Sequence, residues 1–444
     1  APGLIDMRVV IGEPGAEHKE TFKSAGRAAA SGGVTTMVMM PNTTPVIDDQ
    51  SLVDFVRRRG PDRTGGVRIL PAAALTKRLD GELMTEIGLL AEAGAVLFTN
   101  GDKPVASSRV LRRALSYASA FGALVANRPE DPALAEGGVM HEGELAARLG
   151  LPGIAAAAET IMAERDLMLA EITRGRLLLD MLSAGSTLAT LKRAKDRGVN
   201  AVASVNVHHL VLNENDVDGY RTFAKLSPPL RSEDDRQALV QAVAAGLIDV
   251  IVSGHDPRPA EDKRLPFEEA AFGAVGLETL LPGALSLAHK GDASFNMIIR
   301  ALTLRPAEIL NLPQGRLSRG APADIIMLDA GAPFKLDSDK LKSKSNNSPA
   351  YFHRRQTRVR PLRRHAMRKL IAASSILALS ACSTTPFDPP PPDLPLTGPI
   401  AYSCADGTQL MVDYQGDEAR VAIIGGPSMV LPQAGENYYS NGRY

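Results

Sequence analysis

From Ala1 to about Leu285 the chain alternates short apolar runs with helix-patterned stretches, and the unit recurs about eight times. Strands are expected at Gly33–Met40, Gly66–Ala74, Ala95–Thr99, Ala123–Ala126, Arg176–Ser183, Ala201–Val205 and Asp249–Ser253. Amphipathic stretches between them include Ser51–Arg59, Lys77–Ala93 and Glu233–Ala245. A helical crossover returns the chain to the same end of a sheet, so successive strands run parallel. About eight such units close a sheet on itself, which makes the expected fold α/β, a TIM-like (β/α)8 barrel. An open doubly wound sheet would place a Gly-rich phosphate turn after an early strand, and none is present.

Composition is brought in to exclude. The 444 residues are 44% hydrophobic and 23% charged, enough for a sizeable core and more than one domain. Formal net charge is zero, so no global attraction to nucleic acid is expected. The only cysteines are Cys382 and Cys404. Residues 1–345 therefore lack disulfides and thiolate metal sites, as suits a cytoplasmic barrel.

The opening residues Ala1–Gly15 read APGLIDMRVVIGEPG, an apolar strand running into a Pro-Gly turn. Further along come Met40-Pro41-Asn42-Thr43, the His208–Leu210 run, Pro228-Pro229-Leu230-Arg231 and Gly276-Leu277-Glu278-Thr279. In this order the motifs resemble the dihydroorotase branch of the amidohydrolases over residues 1–341. The stretch Arg305–Asp329, with its Gly-Ala-Pro-Ala-Asp run before a strand, resembles the closing element of that family. The resemblance implies an amidohydrolase barrel over 1–300, truncated at its N-terminus, with 301–345 as part of a small β-sandwich left with an unpaired edge.

The resemblance also implies a site, and here the chain departs from the pattern. The family would use zinc, held by imidazoles and carboxylates at the strand ends, to activate the attacking water. The positions of the first two metal imidazoles hold Arg8 and Val10, and the substrate-binding Arg position holds Gly12. A third metal His is replaced by Arg128, in Arg128-Pro129-Glu130-Asp131. The later His-x-x-His-x-Ser reads Leu178 to Ser183, with Met181 at the second imidazole and Asp180 beside it. The catalytic carboxylate position is Gly254, and the bridging acidic region reads Asn100-Gly101-Asp102. No catalytic residue, metal or cofactor is expected to remain, and two guanidiniums at ligand positions would repel a dication. Asn42 and His255 are candidates for a vestigial substrate pocket. His208 and His209 are expected to be packing residues and Asp256 a turn residue. Asp180 is expected to face away from the barrel axis.

The function implied is a dihydroorotase-family protein of pyrimidine biosynthesis that is noncatalytic, acting as structural partner of aspartate carbamoyltransferase in an oligomer. The alternative is an active cyclic amidohydrolase with an altered metal site.

Beyond residue 345 the character changes. Residues 346–366 form a basic linker. Residues 367–382, MRKLIAASSILALSAC, resemble a bacterial lipoprotein signal with Cys382 as the lipidated residue, the one implied contact with a membrane. Residues 383–399 are a Pro-rich tether. Residues 400–444 alternate in the manner of a small antiparallel β domain, here cut short, and resemble membrane-bound inhibitors of C-type lysozyme. An export signal in mid-chain conflicts with a cytoplasmic barrel. The expectation is that two neighbouring reading frames have been joined, with Met367 starting the second.

Overall fold

The structure is a computed structural model. It describes residues 1–331 and 336–349, together with the backbone of the strands at 358–361, 400–403, 409–415, 418–423, 428–435 and 438–439. Eight parallel strands form one sheet in chain order: β1 (Leu4–Val9), β2 (Val34–Met39), β3 (Arg68–Ala74), β4 (Leu97–Thr99), β5 (Leu124–Asn127), β6 (Arg176–Leu179), β7 (Ala201–Asn206) and β8 (Val250–Val252). The first and last strands meet through a parallel bridge between Val9 and His255, and Val10 N donates to His255 O at 2.8 Å. The barrel is thus nearly closed, as the alternation predicts.

Alternation along each strand divides the apolar residues between two cores. Met7, Val38, Ala72, Leu97, Leu178 and Val252 fill the barrel interior. Leu4, Met37, Ala73, Phe98, Leu177 and Ile251 point outward and pack beneath the helices. Burial on both faces explains why the strands read as unbroken apolar runs.

Two sequence expectations shift. Lys77–Ala93 is not one helix but a short turn at Lys77–Leu79 followed by a helix at Ile87–Ala93. Arg78 and Leu79 take φ of 53° and 59°, and Gly81 takes 79°, a left-handed path that no helix continues through. The strand expected through Ser183 stops at Leu179, and Met181, at φ 56°, turns the chain across the barrel mouth.

The sandwich part is small. β9 (Ile326–Asp329) pairs antiparallel with β10 (Arg358–Pro361). Residues 346–366 are therefore not linker throughout, since four of them continue this sheet. The start of the chain joins the same element: Gly3 N donates to Asp324 O at 2.7 Å and Ile326 N to Ala1 O at 3.0 Å. The other end of 301–345 leaves the sandwich and lies along the barrel. Lys342 N donates to Glu278 at 2.7 Å, and the buried Asn347 donates from Nδ2 to Gly273 O at 3.0 Å.

A second unit takes in residues 318–320 and 362–444. Its strands β11 (Ile400–Ser403), β12 (Gln409–Gln415), β13 (Glu418–Ile423), β14 (Ser428–Gly435) and β15 (Tyr438–Tyr439) pair in chain order as an antiparallel meander. Gln415 pairs with Glu418 and Ile400 with Val412. This is the small antiparallel element expected for 400–444. Cys382, Cys404, the signal-like segment and the tether lie outside the described residues.

Candidate functional site

The strand C-termini of such barrels carry the chemistry, because eight loops converge there. Here that end is filled. β1 delivers Arg8, which is 3% exposed, into the mouth. Its Nη1 donates to Asp180 Oδ2 at 2.6 Å, and its Nη2 donates to Asp102 Oδ1. Asp180 lies just past β6 and Asp102 follows β4. Ser204 Oγ, on β7, donates to the other Asp180 oxygen at 2.9 Å, and Met181 N donates to Ser204 Oγ at 2.8 Å. Asp180 therefore faces inward, contrary to the expectation. Alternation counted from Leu178, which lies inside the barrel, already brings residue 180 to the same side, and Asp180 N continues the ladder by donating to Asn127 O at 3.0 Å.

The electrostatics are mutual. Burial works to raise Asp102, but the guanidiniums of Arg8, Arg128 and Arg258 outweigh it and hold the carboxyl below its usual range. Burial likewise disfavours the charge on Arg8, and Asp180 and Asp102 more than restore it. Arg128 is paired too: Nη2 with Glu130, and Nη1 with Ser227 Oγ at 2.6 Å. Arg258 Nη2 donates to Asp256 Oδ2 at 2.5 Å. The two guanidiniums expected to repel a dication are each engaged by carboxylates, Arg8 by Asp102 and Asp180 and Arg128 by Glu130.

Seven of the positions singled out in the sequence line one cavity: Arg8, Val10, Asp102, Met181, Gly254, His255 and Asp256. Its volume is about 20 Å³, room for about one water. Asp256 thus belongs to the site rather than serving only its turn. His255 contributes its ring but no free nitrogen. Gly276 N donates to Nδ1 at 3.2 Å, and Nε2 lies 3.3 Å from Glu20 Oε2. Glu20 is buried and also accepts from Ser343 Oγ and from Lys344 N, the latter at 3.3 Å. Asn42 stands beside Gly101, its Oδ1 buried without a hydrogen-bond partner, and does not line the cavity.

At two of the glycines an added side chain would meet its neighbours closely. A Cβ on Gly12 would lie 2.0 Å from Ala16 O, inside a tight turn. A Cβ on Gly254, whose φ is 56°, would lie 2.1 Å from Asn206 Nδ2. The Asn206 amide fills the volume into which a side chain at Gly254 would project.

The persistent motifs do frame work. His208 and His209 are buried at the end of β7. His209 Nε2 reaches the carbonyls of Pro228 and Pro229 at 3.1 and 3.2 Å. Neither ring nitrogen of His208 makes a well-formed hydrogen bond. Burial pushes His208 down to about 3 and His209 to about 4, so both are neutral. Arg231 donates from Nη1 to Ile154 O at 2.6 Å and from Nε to Ser183 Oγ at 3.1 Å. Asp6 accepts from Arg8 N and Ser253 N, each at 3.2 Å, lacing β1 to β8, and burial pushes its carboxyl up to about 6. Glu20, Asn206, Ser227 and Arg258 escaped sequence reasoning. Only Arg258 carries a local signal, two residues after Asp256. Glu20 and His255 are 235 residues apart.

These residues do not fit the family's metal. Among the described residues no group of three or more His, Cys, Asp or Glu side chains is placed to hold a metal ion. The Asp102 and Asp180 carboxylates that converge are spent on Arg8.

A parallel eight-stranded barrel with its polar groups gathered at the strand C-termini defines the class of TIM-like (β/α)8 barrels. Comparison with known proteins narrows the class. A family model described as "Dihydro-orotase-like" matches residues 1–182. A protein named "Dihydroorotase" from Syntrophus aciditrophicus is 39% identical over 350 residues, spanning 79% of this chain and 82% of that one. Another of that name, from Anaeromyxobacter dehalogenans, is 42% identical over 350 residues, 78% of this chain and 81% of its own. Among solved structures, the L-hydantoinase (dihydropyrimidinase) of Arthrobacter aurescens superposes with a TM-score of 0.72 at 24% identity, covering 80% of this chain and 82% of that one. A dihydroorotase from Saccharomyces cerevisiae, solved with 5-fluoroorotic acid, gives 0.63 at 17% identity, covering 82% and 98%. The chain belongs to the dihydroorotase-like family of amidohydrolases.

Proposed function

We propose that this dihydroorotase-family protein is noncatalytic and serves in the cytoplasm as a structural partner of aspartate carbamoyltransferase, within an oligomer. The observation that supports the first half is the contact of the buried Arg8 guanidinium with Asp102 and Asp180. A hydrolytic amidohydrolase needs a cation and an activated water where the guanidinium sits. Gly254 adds to this, because the position lacks a carboxylate and holds a left-handed φ of 56°. The second half rests on the family resemblance, in which barrels without catalysis persist as partners of the preceding enzyme. Loss of chemistry with retention of the frame is what such a role would select.

The rival reading is an active dihydroorotase, the activity named for the relatives. Metal analysis of the purified full chain and an assay of dihydroorotate ring opening and closure separate the two. The expected result is zinc far below one equivalent and no turnover above the uncatalysed rate. Stoichiometric zinc with turnover overturns the proposal. For the partnership, tagged chain co-expressed with the aspartate carbamoyltransferase of the same genome should retain that enzyme through size-exclusion chromatography. A monomer that ignores it refutes this half.

A further inference from the structure

We infer that Arg8 is an internal countercation, a guanidinium that stands in for a bound metal by holding the ends of β1, β4 and β6 together through Asp102 and Asp180. Two carboxylates, from strand ends with only β5 between them, converge on the buried guanidinium, Asp180 itself buried and Asp102 35% exposed. Without a cation their repulsion and their desolvation would drive the two loops apart. Arg8 supplies a planar donor pair, with one nitrogen directed at each carboxylate. Ser204 fixes the second oxygen of Asp180, so the acceptor is aimed as well as charged. The wider cluster sets Arg8, Arg128 and Arg258 against Asp102, Asp180, Asp256 and Glu130, in three ion-paired groups. Arg8 alone bridges two carboxylates from different strand ends. Arg128 and Arg258 each ion-pair with a residue two positions away, and the one longer reach of Arg128, to Ser227 Oγ, is to a neutral hydroxyl, so neither joins two carboxylates in its place.

The inference rests on the noncatalytic reading only in taking the cation position as filled. It is tested on the full chain by thermal unfolding of the barrel, with EDTA and with added magnesium or zinc. The wild-type midpoint should not respond to either. Arg8→Met should lower it on the order of 10 °C, since one partner of a buried ion pair is removed. Arg8→Met combined with Asp102→Asn and Asp180→Asn should recover most of the loss, because no uncompensated charge remains. Divalent cation should raise the midpoint of Arg8→Met and leave the triple variant unmoved. Should Arg8→Met fail to fold, the triple variant must still fold. An unchanged midpoint in Arg8→Met, or a loss that neutralising both carboxylates does not recover, overturns the inference and leaves Arg8 a packing residue. A barrel that proved to turn over dihydroorotate would fail the proposed function and leave this stability pattern intact.

Discussion

Two buried arginines sit near the mouth of the barrel, and their carboxylates are used differently. Arg8 spends its donors directly on Asp102 and Asp180. Arg231 donates instead to Ile154 O and Ser183 Oγ, and the nearby buried carboxylate, Glu159, is reached only through that hydroxyl. Glu159 is itself saturated. It accepts from Ser183 N at 2.9 Å, Ser183 Oγ at 2.5 Å, Ala184 N at 3.1 Å and Thr187 Oγ1 at 2.8 Å. Burial raises the Glu159 carboxyl above its usual range, against the pull of Arg231 and these donors. Around Arg8 charge balances charge. Around Arg231 neutral donors carry most of the load, and the carboxylate organises a loop. A retained motif, Pro-Pro-Leu-Arg, lies in the second arrangement, and a lost ligand position lies in the first. The motif that resembles the family's shapes backbone around Arg231, and the departures from the family pattern gather around Arg8.

The contrast is broken first by charge removal. Arg8→Met should cost about 3–5 kcal/mol, the range for orphaning a buried ionic partner. Urea unfolding of the barrel measures it. Glu159→Ala comes next. It strands buried donors at Ser183, Ala184 and Thr187, at about 1–3 kcal/mol for a buried group left unsatisfied. Glu159→Gln keeps two acceptor lone pairs and should cost clearly less. If Glu159→Gln is as damaging as Glu159→Ala, the carboxylate charge matters there too, and the distinction drawn between the two arginines fails.

Legibility in the sequence follows the same line. The strands were readable because burial on both faces writes each as a local apolar run, and β2 through β8 fall within a few residues of expectation. The departures at Arg8, Val10, Arg128, Met181 and Gly254 could be named from the sequence because each is a single residue within a motif that resembles the family's. The contacts they make could not. Arg8 meets Asp102 across 94 positions and Asp180 across 172. No periodicity reports a contact of that span, although alternation from the interior Leu178 does place Asp180 on the inner side. The same holds for Gly254: its letter signals a missing carboxylate, but the amide that fills the space belongs to Asn206.

That filled space yields the third expectation. Gly254→Asp, the simplest return toward the family pattern, should destabilise the barrel by about 1–3 kcal/mol, through left-handed strain and displacement of Asn206. Metal analysis should find no gain in zinc. A stable Gly254→Asp variant that binds zinc would show the mouth to be far more plastic than its packing implies.

The smallest effect concerns the histidine pair. His208 is lowered from 6.5 to about 3, chiefly by burial. Below pH 6.5 the unfolded chain takes up a proton that the folded chain refuses until about pH 3. The stability tied to a neutral His208 is therefore complete above pH 6.5 and drains away as the pH falls. His208→Leu removes that dependence and fills the site with a side chain that needs no hydrogen bond. Relative to wild type the variant should gain about 1 kcal/mol more at pH 5.5 than at pH 7.5, one unit of protonation at 298 K. Asp6 and Asp166, both pushed up to about 6 by burial, carry the opposite sign over the acid range. They are present in both proteins and cancel in the difference. A difference that stays flat from pH 7.5 to 5.5 would mean that His208 takes up its proton in the folded barrel. It would then belong with the charged groups of the Arg8 cluster rather than with the neutral frame around Arg231.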